Sequence, residues 1–156
     1  MSQTEFTLDL PDPAATDRFG VRLGRLLRTG DVVALEGTLG AGKSSLARAA
    51  IRERLEDPGA DVPSPTFTLV QTYETAELEI WHVDLYRLDD AADAEELGLS
   101  EAFVHAASLI EWPDRIGDAL PDNSLRLTID IVGEGRRISI AAPEIWQDRI
   151  GTLTGV

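Results

Sequence analysis

One stretch limits what this chain can fold into more than any other. Glu36-Gly37-Thr38-Leu39-Gly40-Ala41-Gly42-Lys43-Ser44-Ser45 fits the phosphate-loop pattern of Gly, four residues, Gly, Lys, then Ser or Thr. That pattern requires a buried strand before it and a helix after it. Val32-Val33-Ala34-Leu35 is a short apolar run suited to the strand, and Ser45 to Leu55 reads as the helix, with Leu46, Ala47, Ala50, Ile51 and Leu55 on one face. Gly37, Gly40 and Gly42 let the backbone turn tightly and aim amide N–H groups inward, where the helix adds its positive end. Ala41 is small enough not to intrude. Lys43 is placed to reach the β- and γ-phosphates of a nucleoside triphosphate, and the Ser44 hydroxyl to ligate Mg²⁺ beside them.

Composition sharpens this. Of 14 basic residues in the chain, only Lys43 is a lysine. A chain that otherwise uses Arg keeps a compact ammonium where a guanidinium fork fits badly. The guanine-reading pattern Asn-Lys-x-Asp has no second Lys to use, so adenine is the expected base. At 156 residues and 43% apolar, the chain reads as one domain over 1–156. No apolar run approaches twenty residues, and Met1-Ser2-Gln3-Thr4-Glu5 lacks a leader's basic start, so a cytoplasmic protein without a membrane partner is expected. Zero cysteines exclude thiolate metal sites and thiol nucleophiles, and His82 and His105 are too few for a histidine metal site. A net charge of −14 opposes direct wrapping of nucleic acid, DNA included, so any role with RNA should run through a partner protein.

Along the chain, Phe6 to Leu10 suits an edge strand, after which Asp12 can cap a helix with Pro13 in its first turn, running to about Arg28. Its Ala15, Phe19, Leu23, Leu26 and Leu27 read as core, and Arg18, Arg22, Arg25 and Arg28 as a solvated stripe. Phe67 to Tyr73 and Leu78 to Val83 read as an antiparallel hairpin. Ser100 can cap a short helix carrying Phe103 and Val104. Ala107 to Ile110 is a buried strand, Ile116 to Leu120 a helical turn, Leu125 to Val132 and Arg137 to Ala141 strands, and Pro143 to Leu153 a closing helix. The fold class expected is α/β: a phosphate-loop NTPase fold with a mostly parallel central sheet, an antiparallel hairpin insertion and helices on both faces.

Such a site needs an acid at the end of a strand beside the loop strand. Asp84 and Glu111 both qualify. Glu111 follows the strand that reads as buried on both faces and is preferred on the metal side, with Asp84 in support or on the attacking water. Either acid alternatively ends a strand in an ordinary turn. Thr66, on the stiff Ser64-Pro65 entry, can present a hydroxyl to the γ-phosphate, or can cap a strand. His82 and Trp112 flank the acids and read as packed residues; His105 has no role.

With these residues laid out, the chain resembles the TsaE family, formerly YjeE. Beyond the loop, the resemblance rests on Ser64-Pro65-Thr66-Phe67-Thr68-Leu69-Val70, His82-Val83-Asp84-Leu85-Tyr86-Arg87-Leu88, Glu95-Glu96-Leu97-Gly98 and Leu109-Ile110-Glu111-Trp112-Pro113. It implies an ATPase with Mg²⁺ that joins TsaB and TsaD, the assembly placing threonylcarbamoyl on adenosine 37 of tRNA, with tRNA met only through that assembly. It places the Mg²⁺ ligands on Ser44 and Glu111, and nucleotide contacts on Leu39, Gly40, Ala41, Gly42, Lys43, Ser44 and Ser45. Asp84 and Trp112 fall on positions tied to hydrolysis. Asp12 and Pro13 fall near the adenine, and Arg136, with Arg137 beside it, on a nucleotide-holding arginine. Phe67 and Ser45 stand where the family often has Tyr and Thr. Two rivals remain: a small-molecule kinase, for which Arg87 and Arg115 make a thin lid, and a nucleotide-sensing module that does not hydrolyse. Lys43→Ala is expected to abolish tight triphosphate binding, read by titration calorimetry with ATP; unchanged affinity would refute the loop assignment.

Overall fold

The computed structural model describes residues 3–155. Met1 and Ser2, on which the expectation of no leader partly rests, and Val156 lie outside the described residues. The strands are β1 (Thr4–Leu10), β2 (Val32–Gly37), β3 (Val70–Glu74), β4 (Glu79–Asp84), β5 (Ala107–Glu111), β6 (Leu125–Val132) and β7 (Gly135–Ala142). The α-helices are α1 (Pro13–Leu26), α2 (Lys43–Leu55), α3 (Leu99–His105) and α4 (Ile150–Thr154), with 3₁₀ turns at Ala91–Leu97, Pro113–Arg115, Gly117–Ala119 and Glu144–Trp146. All seven strands form one sheet in the order β1-β7-β6-β2-β5-β4-β3. The central β6, β2, β5 and β4 run parallel; β3 at one edge, and β7 and β1 at the other, are antiparallel to their neighbours. The hairpin thus extends the sheet, and its second strand is itself part of the parallel centre.

β2 shows why the centre is so apolar. Its Val33 and Leu35 enter the core that also holds Phe19, Leu46 and Ile51 of α1 and α2, while Val32 and Ala34 enter the core on the other face, with Leu85, Leu99 and Ile116. Successive strand residues point to opposite faces, so a strand covered on both sides must be apolar throughout. β5 is buried at all five positions for the same reason.

α1 and α2 touch almost backbone to backbone. A Cβ on Gly20 would fall 2.5 Å from Leu46 O, and one on Gly24 would overlap Ala50 O. This contact lays α1 along α2, so the start of α1 sits beside the phosphate loop. Asp12 caps α1 as expected, its Oδ1 accepting from Ala15 N at 2.8 Å.

Several expectations need correction. α1 ends at Leu26, because Asp31 Oδ2 accepts from Arg28 N at 2.6 Å and holds the chain in a turn. Of the arginine stripe, Arg18, Arg25 and Arg28 are exposed as expected, and only Arg22 is half-buried, its Nε donating to Leu153 O at 3.0 Å. β3 begins at Val70, not Phe67, since Leu69 N donates to Pro65 O at 2.7 Å and Leu69 takes φ 68°, closing a turn over 65–69. α3 starts at Leu99 behind Gly98 (φ 84°), and the Ser100 hydroxyl donates to Glu95 instead of capping. Val104 is exposed, and His105 is the last residue of the helix.

The closing helix is two short pieces. Arg149 turns inward instead: its Nη1 and Nη2 donate to Asp31 at 2.6 and 3.1 Å, and further bonds reach Leu26 O and Ile145 O. Both charged groups are buried. No helix among the described residues is long and apolar enough to cross a membrane. Arg149→Ala should destabilise the fold by about 3–5 kcal/mol, because it strands a buried carboxylate; urea unfolding measures the change.

Candidate functional site

The phosphate loop leaves β2 at Gly37, whose φ of 148° and close approach to Ile129 O exclude a side chain. It enters α2 through Gly42 at φ 113°. Lys43 opens the helix and is only 5% exposed. Its Nζ donates to Gly37 O and to Thr38 O and lies 3.7 Å from the centre of the Trp112 ring. Burial lowers the Lys43 pKa from its ordinary value, opposed by the nearby charges of Glu111, Asp84 and Asp114. An ammonium desolvated to this degree gains from an anion brought against it.

The register of the parallel strands assembles the acids. Glu111 stands opposite Leu35 of the loop strand on one side and opposite Asp84 on the other. Two carboxylates therefore sit together at the strand ends, beside the first turn of α2. Ser44 Oγ lies 2.9 and 3.0 Å from the two oxygens of Glu111. His82 Nε2 lies 2.7 Å from Glu111 Oε2. Asp84 belongs to a second cluster: its Oδ2 accepts from Thr66 Oγ1 at 3.3 Å and its Oδ1 from Tyr86 N at 3.0 Å, while Thr66 and Ser64 hydroxyls are 2.8 Å apart. Trp112 follows Glu111 with φ 60°, a backbone conformation uncommon for such a residue and costly to hold. Its ring packs 4.9 Å from that of Tyr86 and covers Lys43.

The donor set fits Mg²⁺. One hydroxyl and one carboxylate are hard oxygen ligands, and among the described residues no group of three or more His, Cys, Asp or Glu could hold a metal unaided. A cation held by few protein oxygens and completed by phosphate and water is the usual Mg²⁺ arrangement.

On the other side of the loop lies a groove of about 760 Å³, bordered by Asp12, Pro13, Gly40 to Gly42, Ser45 and Arg136. Ser44 and Ser45 thus part company, one toward Glu111 and one toward the groove. Arg136 is the second residue of β7. Its Nε and Nη2 donate to Ala41 O at 2.9 Å and Gly40 O at 3.2 Å. The adjacent Arg137 turns away to Asp9 at 3.1 Å. Of the two arginines, only Arg136 touches the phosphate loop. Leu39 stands at the loop's tip, 66% exposed, and Phe67 is 80% exposed under the Arg87 guanidinium.

The residues singled out in the sequence therefore gather around one loop: Lys43, Ser44, Glu111 and Trp112 in contact, Asp84 with Thr66 next to them, and Asp12, Pro13, Ser45 and Arg136 along the groove. His82 is the member that sequence reasoning passed over as packing. The signal was available in strand alternation, which puts His82 on the same side of β4 as Asp84.

Comparison with known proteins identifies the family. A family model described as "Threonylcarbamoyl adenosine biosynthesis protein TsaE" matches residues 10–138. The chain is 34% identical to the tRNA threonylcarbamoyladenosine biosynthesis protein TsaE of Haemophilus influenzae, over 85% of this chain and 87% of that protein. It is also 34% identical to the Bacillus subtilis TsaE, over 81% and 78% of the two chains. The crystal structure of Bacillus subtilis YdiB superposes with a TM-score of 0.82 at 25% identity, covering 99% of this chain and 97% of that one.

Arg136→Ala removes the clamp on the loop carbonyls and should weaken ADP binding about tenfold, whereas Arg137→Ala should change it less than about threefold. Calorimetric titration of both variants with ADP tests this.

Proposed function

The chain belongs to the TsaE family of tRNA threonylcarbamoyladenosine biosynthesis, and from that membership and the site's geometry we propose that it binds and hydrolyses ATP with Mg²⁺ as the cytoplasmic energy-using member of that machinery. The observation that carries the proposal is the Ser44 hydroxyl within 3.0 Å of both Glu111 oxygens, one residue along from the buried Lys43. In this reading the loop amides and Lys43 bind the β- and γ-phosphates, and Ser44 with Glu111 holds the cation. Bound Mg²⁺ supplies charge neutralisation on the transferring phosphoryl group. Asp84, held by Thr66 and Tyr86 N, orients the attacking water and accepts its hydrogen bond. Trp112, its ring centre 3.7 Å from the Lys43 ammonium, shields that charge from water. The groove past Asp12 and Pro13 receives the adenosine, and Arg136 keeps the loop shaped for it.

TsaB and TsaD are the proposed partners, with tRNA reached through them. Two features support an assembly. The net charge of −14 makes direct tRNA binding unfavourable. Leu39 and Phe67, large apolar residues at the tip of the loop and next to Thr66, are exposed where a docked protein would bear on the hydrolytic residues. A small-molecule kinase is the weaker reading, because Arg87 and Arg115, its only lid arginines, lie against Phe67 and Tyr86.

The test is ATP hydrolysis by the purified protein, alone and with TsaB and TsaD. Stimulation by the pair is expected. Glu111→Ala should lower the stimulated rate at least about a hundredfold while ATP still binds. Phosphate appearing on a small acceptor, without stimulation, would replace this reading with the kinase.

A further inference from the structure

We propose that His82 is a positioning residue for Glu111, its Nε2–H locking the carboxylate in the orientation that serves Ser44 and the cation. The inference rests on Glu111 being the metal-side acid. His82 is 1% exposed and Glu111 3%, and the 2.7 Å between Nε2 and Oε2 is a short, charge-assisted contact. A carboxylate only accepts, so the ring nitrogen facing it carries the hydrogen. The other nitrogen, Nδ1, is buried with no partner among the described residues. It is better left as a bare acceptor than as an orphaned donor, which selects the same tautomer.

This hydrogen bond settles something Ser44 leaves open. The hydroxyl has one hydrogen and lies 2.9 and 3.0 Å from the two oxygens of Glu111, so it tolerates either rotation of the carboxylate. His82 removes that freedom. With Oε2 tied to the imidazole, the carboxylate cannot turn without breaking a buried bond, and Oε1 is left with lone pairs for a cation held at Ser44. The strand frame makes the tie rigid: His82 stands opposite Leu109 and Asp84 opposite Glu111 in adjoining parallel strands, so the ring reaches two places along β5. A residue needed only for packing would not require a donor here, and an apolar side chain would fill the space without leaving Nδ1 unpartnered.

The test compares His82→Asn and His82→Gln. Gln places an amide N–H near the reach of Nε2, whereas Asn reaches only as far as Nδ1. Binding of a non-hydrolysable ATP analogue is followed by calorimetry across a Mg²⁺ series and in EDTA, with thermal melting of each variant alongside. In His82→Asn the Mg²⁺ needed for half-maximal tightening should rise about 10- to 100-fold, with affinity in EDTA within about twofold of wild type. His82→Gln should restore most of the Mg²⁺ response even if its melting temperature falls as far as that of His82→Asn. A wild-type Mg²⁺ response in His82→Asn, or equal losses in both variants that track melting temperature, would overturn the positioning role. Glu111→Ala in the same titration separates the two readings. If it loses the Mg²⁺ response and His82→Asn keeps it, only the His82 role fails; if it keeps the response, the metal-side reading of Glu111 fails as well.

Discussion

A carboxylate buried at the end of the most buried strand is what the site depends on. Glu111 is placed by pairing β5 between the loop strand and β4, and no shorter-range interaction could put it there. In a low-dielectric surrounding such a group must be met by donors, and two from different elements meet it: the Ser44 hydroxyl from the first turn of α2 and the His82 ring from β4. Loop, helix and two strands are thereby coupled through one side chain. A change in register between β4 and β5 would take the His82 donor from a buried acid.

The second constraint is how closely α1 lies on α2. Gly20 and Gly24 let the helix backbones meet, and this brings the Asp12 cap and Pro13 alongside Gly40 to Gly42. The groove is therefore a product of helix packing as much as of the loop. Arg149 and Asp31 anchor the far ends of the same layer, joining the C-terminal segment to the turn that feeds β2.

What could be read in the sequence was what local physics dictates. The loop, the apolar runs of β2 and β5, the Asp12-Pro13 helix start and the acids at strand ends all follow from spacing and side-chain type. What could not be read depends on partners distant in the chain. Arg149 breaks the closing helix because Asp31, 118 residues away, claims its guanidinium. Leu69 turns left-handed to close a backbone bond that propensity does not encode. Arg136 and Arg137 look equivalent until β7 pairing sends them to different neighbours. His82 reads as filler because a lone histidine in a strand usually is, and its chemistry appears only when β5 lies alongside.

One consequence concerns the surface, not the site. The chain's single ε-amine is folded into its own loop, between two carbonyls and an indole ring. The other 13 of its 14 Lys and Arg residues carry guanidinium groups. The folded exterior therefore offers no lysine to acylating reagents, cross-linkers or conjugating enzymes, and acylation of Lys43 would mark only molecules in which the phosphate loop has come apart.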